Sequence, residues 1–334
     1  MAGRVVERHA FARVGLLGNP SDGYFGQALS TVVRDFRATV MLEASADLRI
    51  APDPLDAVAF RSLDAFVDGV SREGYYGGSR LLKAAVTTFY RHCRTQSIAL
   101  PSRNFTACYR SSIPRQVGLA GSSAIVTAAL RALMKFYEVD IPLEQQPSLV
   151  LSAEVDELGI TAGLQDRVAQ VYEGLVYMDF SERLMHDLGH GAYELLDPAL
   201  LPPLFVAYQP QPTKVSGRVL NDLRSRWERR DPEVLETLHR IAEVAARGRE
   251  ALLQGAHETF ASLMNENFDL RRRIMQIGER DLAMIETARS LGASAKLTGS
   301  GGAIVGVYRD DETRNRIMQR LGALEAHVIV PTIG

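Results

Sequence analysis

Residues 113–124 read Ile113-Pro-Arg-Gln-Val-Gly-Leu-Ala-Gly-Ser-Ser-Ala124, and the chain runs directly on into an apolar, helix-patterned stretch. Val126, Leu130, Leu133 and Tyr137 recur at helical spacing, so a helix is expected from Ser123 to about Tyr137. Gly118 and Gly121, with Leu119 and Ala120 between them, let backbone N–H groups come close to an anion. A helix N-terminus adds unpaired donors and a partial positive charge, and the two together make a phosphate site. Ser122 and Ser123 can cap the helix or offer a hydroxyl to a metal. The same residues also fit a plain glycine turn capped by serine. No Gly-Lys-Ser/Thr occurs, so this is not a Walker loop.

Working outward, Leu81, Leu82, Ala85, Val86, Phe89 and Tyr90 form a second apolar helical stripe. Val14–Leu17 is a short apolar run, and Phe105, Ala107 and Tyr109 alternate with polar neighbours as a strand does. Val168 to Phe180 reads as two strands around a turn at Glu173-Gly174. Pro202, Pro203, Pro210 and Pro212 suit a domain boundary followed by an edge strand or extended connection. Beyond them the chain is helix-patterned from about Val215 to Leu291, and Ala303–Tyr308 and His327–Val330 are the best late strands. Strands and helices interleave without a strict βαβ rhythm, which predicts an α+β fold in two domains, residues 1–198 and 199–334.

Two further glycine-bearing segments stand out. Arg13-Val-Gly-Leu-Leu-Gly-Asn-Pro-Ser-Asp22 is a strand running into a polar turn, and it lacks the GxGxxG spacing of a dinucleotide fold. Lys296-Leu-Thr-Gly-Ser-Gly-Gly-Ala303 precedes a strand, and by itself reads as a β-turn or bulge. Ser148 to Leu158 reads as a helix carrying Glu154, Asp156 and Glu157. Asp166 lies at the head of the apolar run that starts at Val168, where a carboxylate can serve as base for a hydroxyl. Arg271, Arg272 and Arg273 read as a solvated or ion-paired helix face. His186, His190 and His257 have no metal spacing.

Composition narrows the classes. The 334 residues are 46% hydrophobic and 23% charged, as in ordinary globular proteins. With 38 Lys and Arg against 40 Asp and Glu, nothing points to nucleic acid or an anionic membrane as partner. The longest apolar window, Val117–Met134, is interrupted by Ser122, Ser123, Thr127 and Arg131, short of a membrane span. Arg4, Glu7, Arg8 and Arg13 break up the first residues, against a signal peptide. Cys93 and Cys108 make no disulfide framework. A cytoplasmic location is expected.

The three glycine segments, in this order, resemble the GHMP small-molecule kinases. The family's phosphate loop, a proline followed by Gly-Leu-Gly-Ser-Ser-Ala, is matched by Pro114 and Gly118–Ala124, with Ala120 and Gly121 in place of a single glycine. Arg13–Asp22 echoes the N-terminal motif, and Gly299–Gly302 echoes the late glycine-rich one. The family's metal-ligand Glu and later catalytic Asp are matched by Glu154 and Asp166, twelve residues apart. Leu17–Asp22, Ala162–Phe180 and Asn267–Arg273 narrow the likeness to the branch whose members phosphorylate glucuronate.

The resemblance implies an N-terminal domain of the ribosomal-protein-S5 type, a ferredoxin-like C-terminal domain, and ATP as co-substrate with Mg²⁺. It implies that Gly118, Leu119, Ala120, Gly121, Ser122 and Ser123 cradle the ATP phosphates. Ser123 and Glu154 would hold the metal, Asp166 would act as base, and Arg13 would tune it. Asn19, Ser21 and Asp22 would bind sugar hydroxyls, and Gly299, Ser300, Gly301 and Gly302 would lie near phosphates and substrate. The partners expected are thus a small sugar acid and ATP. The residues leave two other functions open, a kinase for another sugar such as a heptose phosphate and a sugar- and ATP-sensing relative without catalysis. Arg110, Arg115 and Arg167 are the basic residues nearest the motifs for pairing with a substrate carboxylate.

Overall fold

The computed structural model describes residues 4–50, 58–67, 79–210 and 216–334. The chain divides into two compact units. One comprises residues 1–11, 36–113 and 121–162, and the other residues 12–35, 114–120 and 163–334. Two long strands, β1 (Val5–Leu17) and β2 (Gln27–Ser45), each give one half to either unit.

In the first unit, the later half of β2 pairs antiparallel with β5 (Asn104–Ser111). β5 pairs in parallel with β3 (Leu48–Ile50), which pairs antiparallel with β4 (Val58–Phe60). The helices α1 (Arg80–Thr95), α2 (Gly121–Tyr137) and α3 (Gln146–Val155) pack on one another. Both predicted stripes face inward: Leu82, Ala85, Val86 and Phe89 are buried on α1, and Val126, Leu130, Leu133 and Tyr137 on α2. Phe89, Phe105, Phe136 and Tyr137 interlock edge to face and stacked, the geometry aromatic rings prefer.

In the second unit, the early half of β2 pairs with β6 (Leu175–Asp179), which pairs with β7 (Ala192–Leu196). A separate antiparallel sheet has the order β11-β8-β10-β9, built from β8 (Leu204–Tyr208), β9 (Lys296–Leu297), β10 (Ala303–Val307) and β11 (His327–Ile329). With helices between β8 and β9 and between β10 and β11, this is the expected ferredoxin-like arrangement. Phe205, Phe268, Met284, Ile285, Leu297, Ile304, Ile317 and Leu321 form its core. The N-terminal segment of this unit is tied to its last residues. Val33 bridges Ile333, the Arg34 amide donates to the Thr332 carbonyl, and the Thr332 amide donates to Asp35.

Three expectations change. Val168–Tyr172 is not a strand, because Gln165–Tyr172 is helix α4, ended by Glu173 in the left-handed region at φ 54°. Gln165, Arg167, Gln170 and their apolar neighbours are all buried, and eight residues are too few for periodicity to separate a helix from a strand. Asp166 is therefore in the first turn of a helix. Second, β8 is an inner strand between β11 and β10, with Pro202, Pro203 and Pro210 outside its ends; Pro212 lies outside the described residues. Third, the long helical stretch is four helices, Ser216–Glu228, Pro232–Leu253, His257–Ile274 and Glu279–Ser290. Val215 lies outside the described residues.

Candidate active site

Arg13 organises the second unit's share of the candidate residues. It comes from the buried end of β1 and is 5% exposed. Its Nε and Nη2 both stand 2.6 Å from Asp166 Oδ1, while Nη1 donates to the carbonyls of Gly118 (2.8 Å) and Thr298 (3.1 Å). One guanidinium thus joins the carboxylate on α4, the loop 114–120 and the strand leading into Gly299–Gly302. Asp166 also gains from its helix N-terminus, where negative charge is favoured. Arg167 stands 3.4 Å from Asp166 Oδ2 and donates to the Gly163 carbonyl.

The two glycine-rich segments touch. Gly118 has φ +71°, and a Cβ there would lie 2.7 Å from the Gly301 carbonyl oxygen. The reciprocal holds at Gly299, where a Cβ would lie 2.7 Å from the Gly118 oxygen. Thr298 Oγ1 donates to that same Gly118 oxygen at 3.0 Å. Gly121 carries no such demand: it opens α2 without a positive φ, and a Cβ there meets only Ile113 Cγ2 at 3.5 Å. Ala120 has φ +60°, the conformation for which a glycine is the usual residue.

The turn after β1 holds Asn19, Ser21 and Asp22. Asn19 is buried and its Oδ1 accepts from Lys296 Nζ at 2.6 Å. Lys296 Nζ also donates to the carbonyls of Gly15 and Leu297, both at 2.8 Å, and its burial beside Arg271 and Arg13 pushes its pKa well down. Ser21 is fully buried and donates its hydroxyl to the Gln27 carbonyl, so it shapes the turn. Asp22 accepts from the Gln165 amide at 3.3 Å. Burial, with Asp166 nearby, raises its pKa from 3.8 to about 6.

That raised value predicts a pH-dependent cost to the fold. Below the unfolded value the carboxyl is neutral in both states. As pH rises from 3.8 to about 6 the unfolded chain ionises first, so stability falls across this window. The gap amounts to roughly 3 kcal/mol above it. Asp22→Asn is expected to stabilise the protein at about pH 7.5, by up to ~3 kcal/mol less the Gln165 contact, and to change little near pH 4. Thermal melts at the two pH values check this, and equal shifts at both would contradict it.

Four residues that the sequence alone did not mark, or marked differently, belong to this region. Lys296 has been described. Asp281, in the first turn of Glu279–Ser290, accepts from the Gly302 amide at 3.0 Å, and burial raises its pKa. Asn267 accepts from the Gly18 amide at 2.7 Å and donates to the Asn19 carbonyl. Arg271 is 2% exposed and donates to the Gly299 carbonyl, so it is not the solvated face expected of the arginine run; Arg272 and Arg273 are exposed. Its helix had a signal: Met264, Asn267, Phe268, Arg271 and Ile274 follow the apolar period. Arg110 is exposed and pairs with Glu7, and Arg115 is exposed.

In the first unit, Ser122 is exposed in the opening turn of α2, whereas Ser123 is fully buried. Glu154 is fully buried on α3, which packs against α2. A hydroxyl and a carboxylate are hard oxygen donors and fit Mg²⁺, which takes few protein ligands and completes its shell with phosphates and water. No cluster of three His, Cys, Asp or Glu suited to a metal occurs among the described residues. Among the described residues, no helix is long and apolar enough to cross a membrane.

Comparison with known proteins agrees with this architecture. The pattern of the GHMP kinases N terminal domain matches residues 80–174, and that of the GHMP kinases C terminal domain matches residues 249–326. Glucuronokinase 1 of Arabidopsis thaliana is 48% identical over 306 residues, covering 90% of this chain and 84% of that protein. Among solved structures, the Lin0012 protein of Listeria innocua has a TM-score of 0.81 at 14% identity, covering 99% of this chain and 98% of its own. Lactococcus lactis galactokinase, solved with galactose, has a TM-score of 0.79 at 17% identity, covering 99% and 94%. At those identities the structures speak for the fold, and the sequence match carries the family: the chain belongs to the GHMP kinases.

Proposed function

We propose that the protein is an ATP-dependent sugar-1-kinase that phosphorylates D-glucuronate at its anomeric oxygen, giving 1-phospho-D-glucuronate and ADP. The observation that carries this reading is the single guanidinium of Arg13, bonded at once to the Asp166 carboxylate and to the Gly118 carbonyl of the glycine loop. A base and a phosphate loop held by one cation suit transfer of a phosphoryl group to a hydroxyl. The 48% identity to a glucuronokinase supports the choice of acceptor.

Asp166 takes the proton of the anomeric hydroxyl as its oxygen forms a bond to the γ-phosphorus and the bond to the ADP oxygen breaks. Arg13 holds Asp166 in place through its two short contacts to Oδ1. Gly118–Ser123 receive the phosphates through backbone amides, and Ser123 and Glu154 would hold Mg²⁺, which when bound neutralises phosphate charge. Asn19 and Asp22 meet sugar hydroxyls on the turn that Ser21 shapes, with Gly299–Gly302 beside them. Residues 1–198 and 199–334 are the two domains on this reading, acting in the cytoplasm on small molecules.

A coupled ADP-release assay across glucuronate, galacturonate, glucose and a heptose phosphate at fixed MgATP tests the acceptor. Glucuronate is expected to exceed glucose in kcat/KM by roughly 30-fold or more, the cost of leaving a buried cation unpaired. Glucose or the heptose phosphate turning over as well as glucuronate would reject the uronic acid and leave the kinase standing. No ADP release with any acceptor would reject the kinase.

A further inference from the structure

The second unit buries a cation that no carboxylate among the described residues neutralises at contact distance. Arg271 is 2% exposed, and its one hydrogen bond among the described residues runs from Nη1 to the Gly299 carbonyl at 2.8 Å. Its Nε is buried with no partner there. Asp22 and Asp281 act on it only through space, Arg13 repels it, and burial pushes its pKa down to about 10. Arg13, by contrast, has Asp166 at 2.6 Å. A buried guanidinium without a facing carboxylate is unfavourable in the free protein and becomes favourable when an anion arrives.

The helix carrying Arg271 indicates which anion. Asn267, one turn earlier on the same buried face, clamps Gly18 and Asn19 with both ends of its amide. This face of His257–Ile274 is therefore docked on the turn proposed to hold the sugar, while the loop 114–120 has Arg13 as its cation. We propose that Arg271 pairs with the C6 carboxylate of the sugar acid and so sets the preference for uronic over neutral sugars. The assignment rests on the glucuronokinase reading above. Arginine suits the role because its planar fork binds a carboxylate through two N–H groups at once.

The test compares kcat/KM for glucuronate and for glucuronamide, its uncharged carboxamide, in the wild type, Arg271→Gln and Arg271→Lys. The wild type is expected to favour glucuronate by at least ~30-fold, Arg271→Gln to compress that ratio to within ~3-fold, and Arg271→Lys to retain part of it. Melting temperature and titration with a non-hydrolysable MgATP analogue report whether each variant keeps its fold and nucleotide site. If Arg271→Gln does not fold, the wild-type ratio and Arg271→Lys decide. A wild-type ratio near one, or a full ratio in Arg271→Gln, overturns the proposal. So does an equal loss on both sugars with weakened analogue binding, which would make Arg271 a phosphate contact. A wild type that phosphorylates neither sugar but does phosphorylate another acceptor would instead reject the glucuronokinase reading itself, and this proposal with it.

Discussion

Asp166→Asn is expected to lower kcat by at least ~10²-fold, the usual scale of a lost general base, with nucleotide affinity retained. The substitution keeps an amide oxygen where Arg13 Nε and Nη2 now converge at 2.6 Å, so shape and hydrogen bonds largely survive. What disappears is the negative charge and the proton acceptor. Arg13, 5% exposed, then lacks its counter-ion, and a lower melting temperature should accompany the lost rate. Steady-state kinetics and analogue titration separate the two effects. A near-normal kcat in a destabilised variant would make Asp166 merely the partner of Arg13.

Gly118→Val is expected to weaken nucleotide binding by at least ~30-fold, since the left-handed backbone alone costs a non-glycine residue about 1–2 kcal/mol and a branched one more. To that cost is added a Cβ 2.7 Å from the Gly301 oxygen, on a hairpin loop that cannot swing away like a side-chain tip. Two carbonyl contacts to Gly118, from Arg13 and Thr298, would be strained in the same step. Gly121→Ala is the matched control, expected to stay within ~3-fold because its φ is ordinary and its neighbour is an Ile113 methyl at 3.5 Å. Calorimetric titration of both variants, with circular dichroism to verify folding, provides the comparison. Equal effects at the two glycines would mean that the interlock of the two loops plays no part in nucleotide binding.

The physics of each segment explains what could be read before the structure. The α1 and α2 stripes were legible because one helical face is apolar and the other is not. Much of β2 was illegible, because Arg34-Asp35-Phe36-Arg37 puts three exposed charged residues in the middle of a continuous strand. For α4 the segment is too short for a period to decide, and Gln165 and Gln170 are held inside by bonds to Ser30 and Ala120 rather than by apolar character. The glycine loop announced itself through composition, yet composition ranked Gly118 and Gly121 alike; only φ and the facing backbone separate them. Arg13 and Asp166 are 153 positions apart, and nothing local in the residues says that they meet. Lys296 lies in a two-residue strand, too short for a period to show that its side chain turns inward.

The interleaving of the two units also bears on how the chain is made. Every residue of the first unit has been synthesised by position 162, whereas the second must join residues 12–35 to partners as late as Thr332 and Ile333. At ribosomal speeds of about 5–20 residues per second, that separation is a wait of roughly 15–60 s. Throughout it Val33, buried in the finished protein, lacks its bridge to Ile333, although Ala28 and Leu29 can pair with Met178 and Tyr177 once those are made. Such long-range pairing is slow to form and leaves apolar strand edges exposed meanwhile. The nascent chain is therefore expected to be a client for chaperones that shield extended apolar segments, with the Arg13–Asp166 pair assembled only after the first unit's residues are all in place.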